Sequence, residues 1–510
     1  MTKPIRYILW GGLFSLVIFA AISLFLPKAS YEGQVIEEDV PFYSLPWNDN
    51  PFYPSEITTT DGNFAHWETV PSAEYCAQCH DKEYREWVSS IHAVSGPDQL
   101  YETAIGLNEG AHLTRNGTEK IRWCEGCHEP VFTLVGEVNP LVTVGPSAAG
   151  AEGMSCIVCH TATDANPLAG NAALTLELNN NNVNQYMNPG IIMAAPVEHA
   201  KAMQAKTHNP LMGSSDMCGT CHTEIRPPDV NGDFPLHFQE TYDEWRTSEY
   251  AEMGVQCQDC HMHPDPASYI AELNETGKMP ERVVSHRFVG VNYLLTAADL
   301  PNNLVTFLRG GHPPGPITTE EWKEDLLVQQ GLIVALLQEA GELEVAAPEQ
   351  VKAGEELAFD VTIHNTGAGH DLPTGPLDQR HIWVQVKATD ANGEVIYNSG
   401  WFDDQTGELD PDAITYIKYM YDKQGERIVN HLLFDVDRME YGRKPIPPKG
   451  SDTIPYSFPI PNGTAGPLTV EVTMWYRLAL QEIVKQNLKL NVIVPPIMME
   501  QTTVEIEIGE

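Results

Sequence analysis

Positive charge is scarce in this 510-residue chain: 30 Lys and Arg stand against 70 Asp and Glu, a formal net charge of −40. That imbalance repels phosphate backbones and anionic headgroups, so nucleic-acid binding is excluded. It favours cationic protein surfaces, or divalent cations at carboxylate clusters. Calcium is the ion to consider there, with no motif behind it. Cysteine is missing from most of the chain. All ten lie between Cys76 and Cys260, in five C-x-x-C pairs, so no cysteine is left for an independent disulfide framework. Histidine is sparse as well, at 18 residues, yet one follows every cysteine pair directly. No C-x-x-C-K is present.

The pairs read CAQCH, CEGCH, CIVCH, CGTCH and CQDCH. C-x-x-C-H is the attachment motif of c-type haem. Each thiol adds to one porphyrin vinyl group, and the next residue aims its imidazole at the iron. Zinc would need histidines at other spacings, and a thioredoxin-like motif would need no histidine. The sites are therefore Cys76, Cys79 and His80; Cys124, Cys127 and His128; Cys156, Cys159 and His160; Cys218, Cys221 and His222; Cys257, Cys260 and His261. Five covalently attached haem c groups are implied. So little polypeptide lies between the motifs that the macrocycles must supply much of the interior themselves, packed closely enough for electrons to tunnel.

Sixth ligands have many candidates: His66, His92, His112, His199, His208, His237, His263, His286 and His312 lie in or near this region. Methionine in that position would raise the potential; with so many spare imidazoles, bis-histidine sites of lower potential are expected. The stretches CAQCHDKEYREWVSSIHAVSG, GMSCIVCH, THNPLMGSSDMCGTCH and QETYDEWRTSEYAEMGVQCQDCHMHP span about residues 70 to 290. Together they resemble multihaem cytochromes of the c-552/4 type, a group related to cytochrome c-554, hydroxylamine oxidoreductase and octahaem tetrathionate reductase. The resemblance implies that His92 is a distal ligand to a haem other than its own neighbour, such as the third. It implies that His208 reaches back to the first haem, and that His286 in SHRFVG is the distal histidine following the last motif. His112, His199, His237 and His263 compete for the remaining positions. His263 is too close to His261 to share its iron, and would have to reach a neighbour. Tyr84 with Trp87, and Tyr242 with Trp245, have helical spacing and are expected to pack on haem faces.

The expected fold class is α + β and multidomain: a mainly helical and loop pentahaem domain, then an antiparallel β-sandwich, behind an N-terminal transmembrane helix. Residues 1–30 hold the uncharged run YILWGGLFSLVIFAAISLFL, Tyr7 to Leu26, flanked by Lys3 and Arg6. Its length and flanks predict a single-pass inner-membrane anchor with a cytoplasmic N-terminus, the rest lying in the periplasm or outside. A cleaved signal, giving a secreted protein, is the alternative. Residues 31–70 read as an extended linker and 71–316 as the haem domain. Residues 317–342 read as a connecting helix, opened by a capping box from Thr318 to Glu321. In 343–510, Leu357, Phe359, Val361 and Ile363 alternate with polar neighbours, and Asn392-Gly393 signals a hairpin. NTGAGHDLPTGPLDQRHIWVQV resembles the β-domain often fused to these cytochromes. Its His370, Asp371 and Thr374 read as a structural turn that caps backbone groups, with docking at a haem edge or a metal site using Asp371 and Asp378 as alternatives.

A chain of this kind is expected to carry electrons from a membrane donor to an exported acceptor, through redox partner proteins with cationic docking surfaces. The alternative is a multihaem reductase acting on a small nitrogen or sulfur compound at one open haem. Assembly into an oligomer, with one subunit closing a site of the next, is a third reading.

Overall fold

The computed structural model describes residues 51–66, 70–105, 118–136, 152–178, 194–207, 209–226, 235–296, 302–310, 315–486 and 488–509. The expected membrane segment, His112, His208 and His312 lie outside these residues. Among the described residues, no helix is long and apolar enough to cross a membrane.

The motif-bearing half consists of short helices. Asp81–Ser89, Thr118–His128 and Pro266–Thr276 are its longer described helices apart from Pro196–Thr207. Pro266 opens its helix at a position where the missing N–H costs nothing, and Gly277, at φ +64°, ends it. Sheet is confined to small pieces. Thr58–Thr59 runs parallel to Leu174–Leu176, which pairs with Ala162–Ala165. The described part of the segment read as a linker is therefore structural. Phe52 and Ile57 are buried with Val131, Leu134, Ile157 and Leu174, because side chains of this size favour burial by about 1.5–3 kcal/mol each.

In the C-terminal half, the period-2 pattern produces the expected strands. Glu356–His364 buries Leu357, Phe359, Val361 and Ile363, and pairs antiparallel with Ser451–Pro459 and Glu342–Ala346. A facing sheet runs in the order Val395–Ser399, His381–Thr389, Leu468–Arg477, Ile497–Gly509, Gln350–Lys352. Gly393, at φ +85°, makes the turn between the first two of these strands. The last pair is parallel, which corrects the all-antiparallel expectation. Gln350–Lys352 arrives there after the chain leaves Glu342–Ala346 of the other sheet, so its direction follows that crossing and no hairpin sets it. A further small sheet, Arg427–Ile428, Lys418–Tyr421 and Arg438–Tyr441, was not foreseen.

The two halves share cores. Val289, Tyr293, Leu294 and Leu295 of the motif half pack in the same cluster as Val384, Val470 and Met474. Trp123 and Cys124 pack with Met420, Leu433 and Phe434. The helix Thr319–Gln338 joins both. Its N-terminus carries the expected reciprocal Thr318–Glu321 cap, and Trp322, Leu326, Ile333 and Leu337 are buried. Leu45–Glu510 forms one compact unit.

Candidate haem centres

Each motif uses one helical turn. The His80 amide donates to the Cys76 carbonyl at 3.0 Å, and the His222 amide to that of Cys218 at 3.0 Å. Cys156–His160 and Cys257–His261 are single short helices, and Cys124–His128 ends the helix Thr118–His128. Positions i, i+3 and i+4 share a helix face, so two thiols and one imidazole project together. The motifs also adjoin one another. Side-chain contacts join Cys76 to Cys156, Cys127 to Cys221 and Cys218 to Cys257.

Three motif histidines face a second imidazole. The ring centres of His160 and His286 are 6.3 Å apart with an interplanar angle of 17°. Those of His261 and His370 are 6.2 Å apart at 8°. Those of His92 and His222 are 6.5 Å apart at 53°. A ligating nitrogen lies about 2.0–2.1 Å from a first-row metal ion and about 1.1 Å from its own ring centre, so two rings on opposite sides of one ion are about 6.3 Å apart. The three spacings match an iron held between each pair. Among the described residues, no three His, Cys, Asp or Glu side chains gather as a metal site. Two facing imidazoles suit an iron whose other four positions a porphyrin fills.

The electrostatics agree. Iron takes neutral imidazole, and burial lowers His160, His222 and His370 to about 4 and His92 to about 3. Burial likewise lowers His261. Outer hydrogen bonds orient the rings. His261 Nδ1 donates to the Val289 carbonyl at 2.6 Å, His128 Nδ1 to that of Ser95 at 2.7 Å and His370 Nδ1 to that of Asp371 at 3.0 Å. His92 Nδ1 is buried without a hydrogen-bond partner, an orphan that suits a ring held by iron.

The sequence expectations divide. His286 does face a motif histidine. His92 faces the fourth motif and not the third: its 3-10 turn, His92–Val94, is held by the Met154 amide, which donates to the His92 carbonyl at 2.8 Å, and this places the ring opposite His222. His370 does cap a backbone group, the Asp371 carbonyl, as the turn reading expected, but its ring also faces His261, while Thr374 and the Asp371 amide donate to Glu244, at 2.5 and 3.2 Å. Asp378 does not join Asp371; it pairs with His431 Nδ1 at 2.8 Å. His237 pairs with Glu240 in solvent at 3.2 Å, and His263 is half-buried, its Nδ1 donating to the Asp265 carbonyl. His66 is exposed, and His199 is half-buried on its helix. Trp87 donates to the Met154 carbonyl, Tyr242 to Asp216 and Trp245 to the Val255 carbonyl, so these aromatics are fixed as packing groups.

Among the described residues, neither His80 nor His128 faces an imidazole at this spacing. Tyr101 stacks on His128 at 3.9 Å and 10°. Glu125 and Glu129, on the same turn, are buried together; burial, then Glu129, pushes the Glu125 carboxyl well above its usual range.

The profile of the family described as "Cytochrome c554 and c-prime" matches residues 75–161, the segment from just before the first motif to just after the third. A penta-heme cytochrome c552 from Thermochromatium tepidum shares the fold. It has 19% identity and a TM-score of 0.51, over 86% of this chain and 100% of that one. The chain is a multihaem c-type cytochrome. Its haem c is covalently bound. A CARDB domain from Pyrococcus furiosus overlays at 11% identity over 33% of the cytochrome and 87% of that chain, with a TM-score of 0.16, too low to relate the folds. No curated protein matches the cytochrome.

Stability of the cytochrome is expected to fall between about pH 4.5 and 7. Burial raises the Asp98, Glu152 and Glu244 carboxyls to about 7 from ordinary values of 3.8 and 4.5. Through this window the unfolded chain has already released these protons while the folded chain retains them, so rising pH favours unfolding. The loss is complete above the folded values. Melting temperatures at pH 5 and pH 8 check this, and Glu152→Gln should flatten part of the difference.

Proposed function

We propose that this cytochrome carries electrons through five haem c groups, at least three of them closed by two histidines. The observation that carries the reading is the set of three imidazole pairs at the spacing of a six-coordinate iron. The proposed ligands are His160 with His286, His222 with His92, and His261 with His370. His80 and His128 are the proximal ligands of the other two sites, and His208 remains the proposed partner of His80. Each haem supplies a reversible one-electron change. The protein sets spacing, axial ligation and burial.

The cysteine interactions support a continuous route. Motif one adjoins three, two adjoins four, and four adjoins five, while Cys159 of motif three interacts electrostatically with Cys221 of motif four and so links the two groups. Beside the last two lies a cleft of about 250 Å³ whose charged lining is Glu240, Asp243, Glu244 and Asp371 against a single Lys418. Its charge suits a cationic redox partner. Subtype, membrane tether and a location outside the cytoplasmic face are proposed from the sequence features already described.

A second reading, reduction of a small nitrogen or sulfur compound, is favoured at the second motif. There burial raises Tyr101 and Glu125 well above their ordinary ranges beside His128, with Glu129 buried next to them, so a proton donor is at hand as an acid-assisted reaction requires.

Low-temperature electron paramagnetic resonance of the oxidised protein, with a haem count by mass, tests both. Near-parallel rings split the iron π orbitals more than crossed rings do. The 8° and 17° pairs should therefore give rhombic low-spin signals, and the 53° pair a signal with a larger maximal g. Five haems and at least three low-spin signals are expected. A purely high-spin spectrum overturns the ligand assignments; a high-spin signal that shifts with nitrite or hydroxylamine favours the second reading.

A further inference from the structure

The segment Ser285–Val289 reaches three paired sites at once. His286 faces His160. The Phe288 ring lies 4.5 Å from His92, the partner of His222, and 6.0 Å from His286, edge-on to both at 63° and 85°. The Val289 carbonyl accepts from His261 Nδ1.

This segment is anchored along its length. The Ser285 amide donates to the Met262 carbonyl at 2.6 Å and the His286 amide to Glu86 at 2.8 Å. The Arg287 guanidinium reaches Ser89 and Asp325, and its carbonyl accepts from Gln329 at 2.9 Å. The Val289 amide donates to the His261 carbonyl at 2.8 Å. Between these anchors Phe288 sits at φ +43°. A bulky residue in the left-handed region is strained and persists only where its surroundings hold it. Glycine would relieve that strain, so the backbone gains nothing from phenylalanine. What the position gains is the ring.

We propose that Phe288 is a positioning residue shared by two sites: its ring, wedged between His92 and His286, sets the planes of both imidazoles. Ligand geometry at the third and fourth motifs is thereby coupled through one side chain. A ring centred 4.5 Å away blocks rotation of His92 about the bond it would make to iron, and the same ring limits His286 from the other side. Held planes keep both sites in one geometry as each gains and loses an electron. This inference rests on the ligand pairs proposed above.

The test uses the full-length holoprotein with Phe288→Ala and Phe288→Gly. Haem content should stay unchanged. Two low-spin signals should shift their maximal g together, and the others should stay in place. Phe288→Tyr, which keeps the ring, should restore the wild-type spectrum. If both signals stay put in the alanine and glycine variants, the inference fails while the ligand assignments stand. If wild type lacks the low-spin signals, the assignments fail and this inference with them. Should the variants not fold, nuclear magnetic resonance of wild-type protein with ring-labelled phenylalanine decides. One ring must show paramagnetic shifts and dipolar contacts to two axial imidazoles, and its absence overturns the proposal.

Discussion

Replacing His370 with alanine is expected to remove one low-spin haem signal and add a high-spin one, with the haem count unchanged. Cys257 and Cys260, the proposed attachment points of the macrocycle, are untouched by the change, and His261 keeps its bond to the Val289 carbonyl. What disappears is the second ring, parallel to His261 within 8° and 6.2 Å away. A small cavity remains, and added imidazole should fill it and restore the low-spin signal. His370→Met should instead keep the iron low-spin and raise its potential, within the ~0.8 V range that axial ligands span. Spectroelectrochemistry with electron paramagnetic resonance reads all three outcomes. An unchanged spectrum in His370→Ala would remove the β-half from the ligand set. The experiment matters because the residue comes from a sandwich that carries no haem motif, so it asks whether that half is a passenger or part of the redox centre.

The second large effect is expected from Asp325→Ala, at about 3 kcal/mol of lost stability. Asp325 lies on the helix Thr319–Gln338 and is 7 % exposed. Its carboxylate takes Arg85 at 2.9 Å and Arg287 at 3.4 Å, tying the first motif's helix to the segment that bears His286. Removing it leaves two guanidinium groups, only 28% and 14% exposed, without their shared partner. Arg85 keeps Glu321 at 3.6 Å, but Arg287 loses its carboxylate in a mostly buried place, which is costly, whereas Asp325→Asn keeps part of the hydrogen bonding and should cost less. Because Arg287 adjoins His286 and Phe288, the alanine variant should also broaden the low-spin signals of the third and fourth motifs. Chemical denaturation of the holoprotein, followed in the far ultraviolet, measures the stability change. Equal stability for Asp325→Ala and wild type would show that the two arginines find other partners.

Much of the site was legible because its chemistry is local. Two thiols and an imidazole within five consecutive residues meet on a single helical turn, so the spacing alone implied covalent haem and proximal histidines. His286 was legible through a resemblance, and the structure places it opposite His160. The helix Thr319–Gln338 and the alternating strands were legible for a similar reason. Capping boxes and apolar periods act over a few residues and survive whatever packs against them.

Partnerships across the chain were not legible. The sequence by itself determined that ten cysteines stand in five haem-attachment motifs, that a histidine follows each and that a β-rich half follows, since each depends on neighbours in the chain. Only the tertiary structure decided that His92 turns to the fourth motif, that a loop of the sandwich brings His370 to His261 and that Phe288 stands between two imidazoles. Apart from that of Phe288 with the nearby His286, those contacts join residues 109 to 196 positions apart, and periodicity says nothing about distances that packing alone closes.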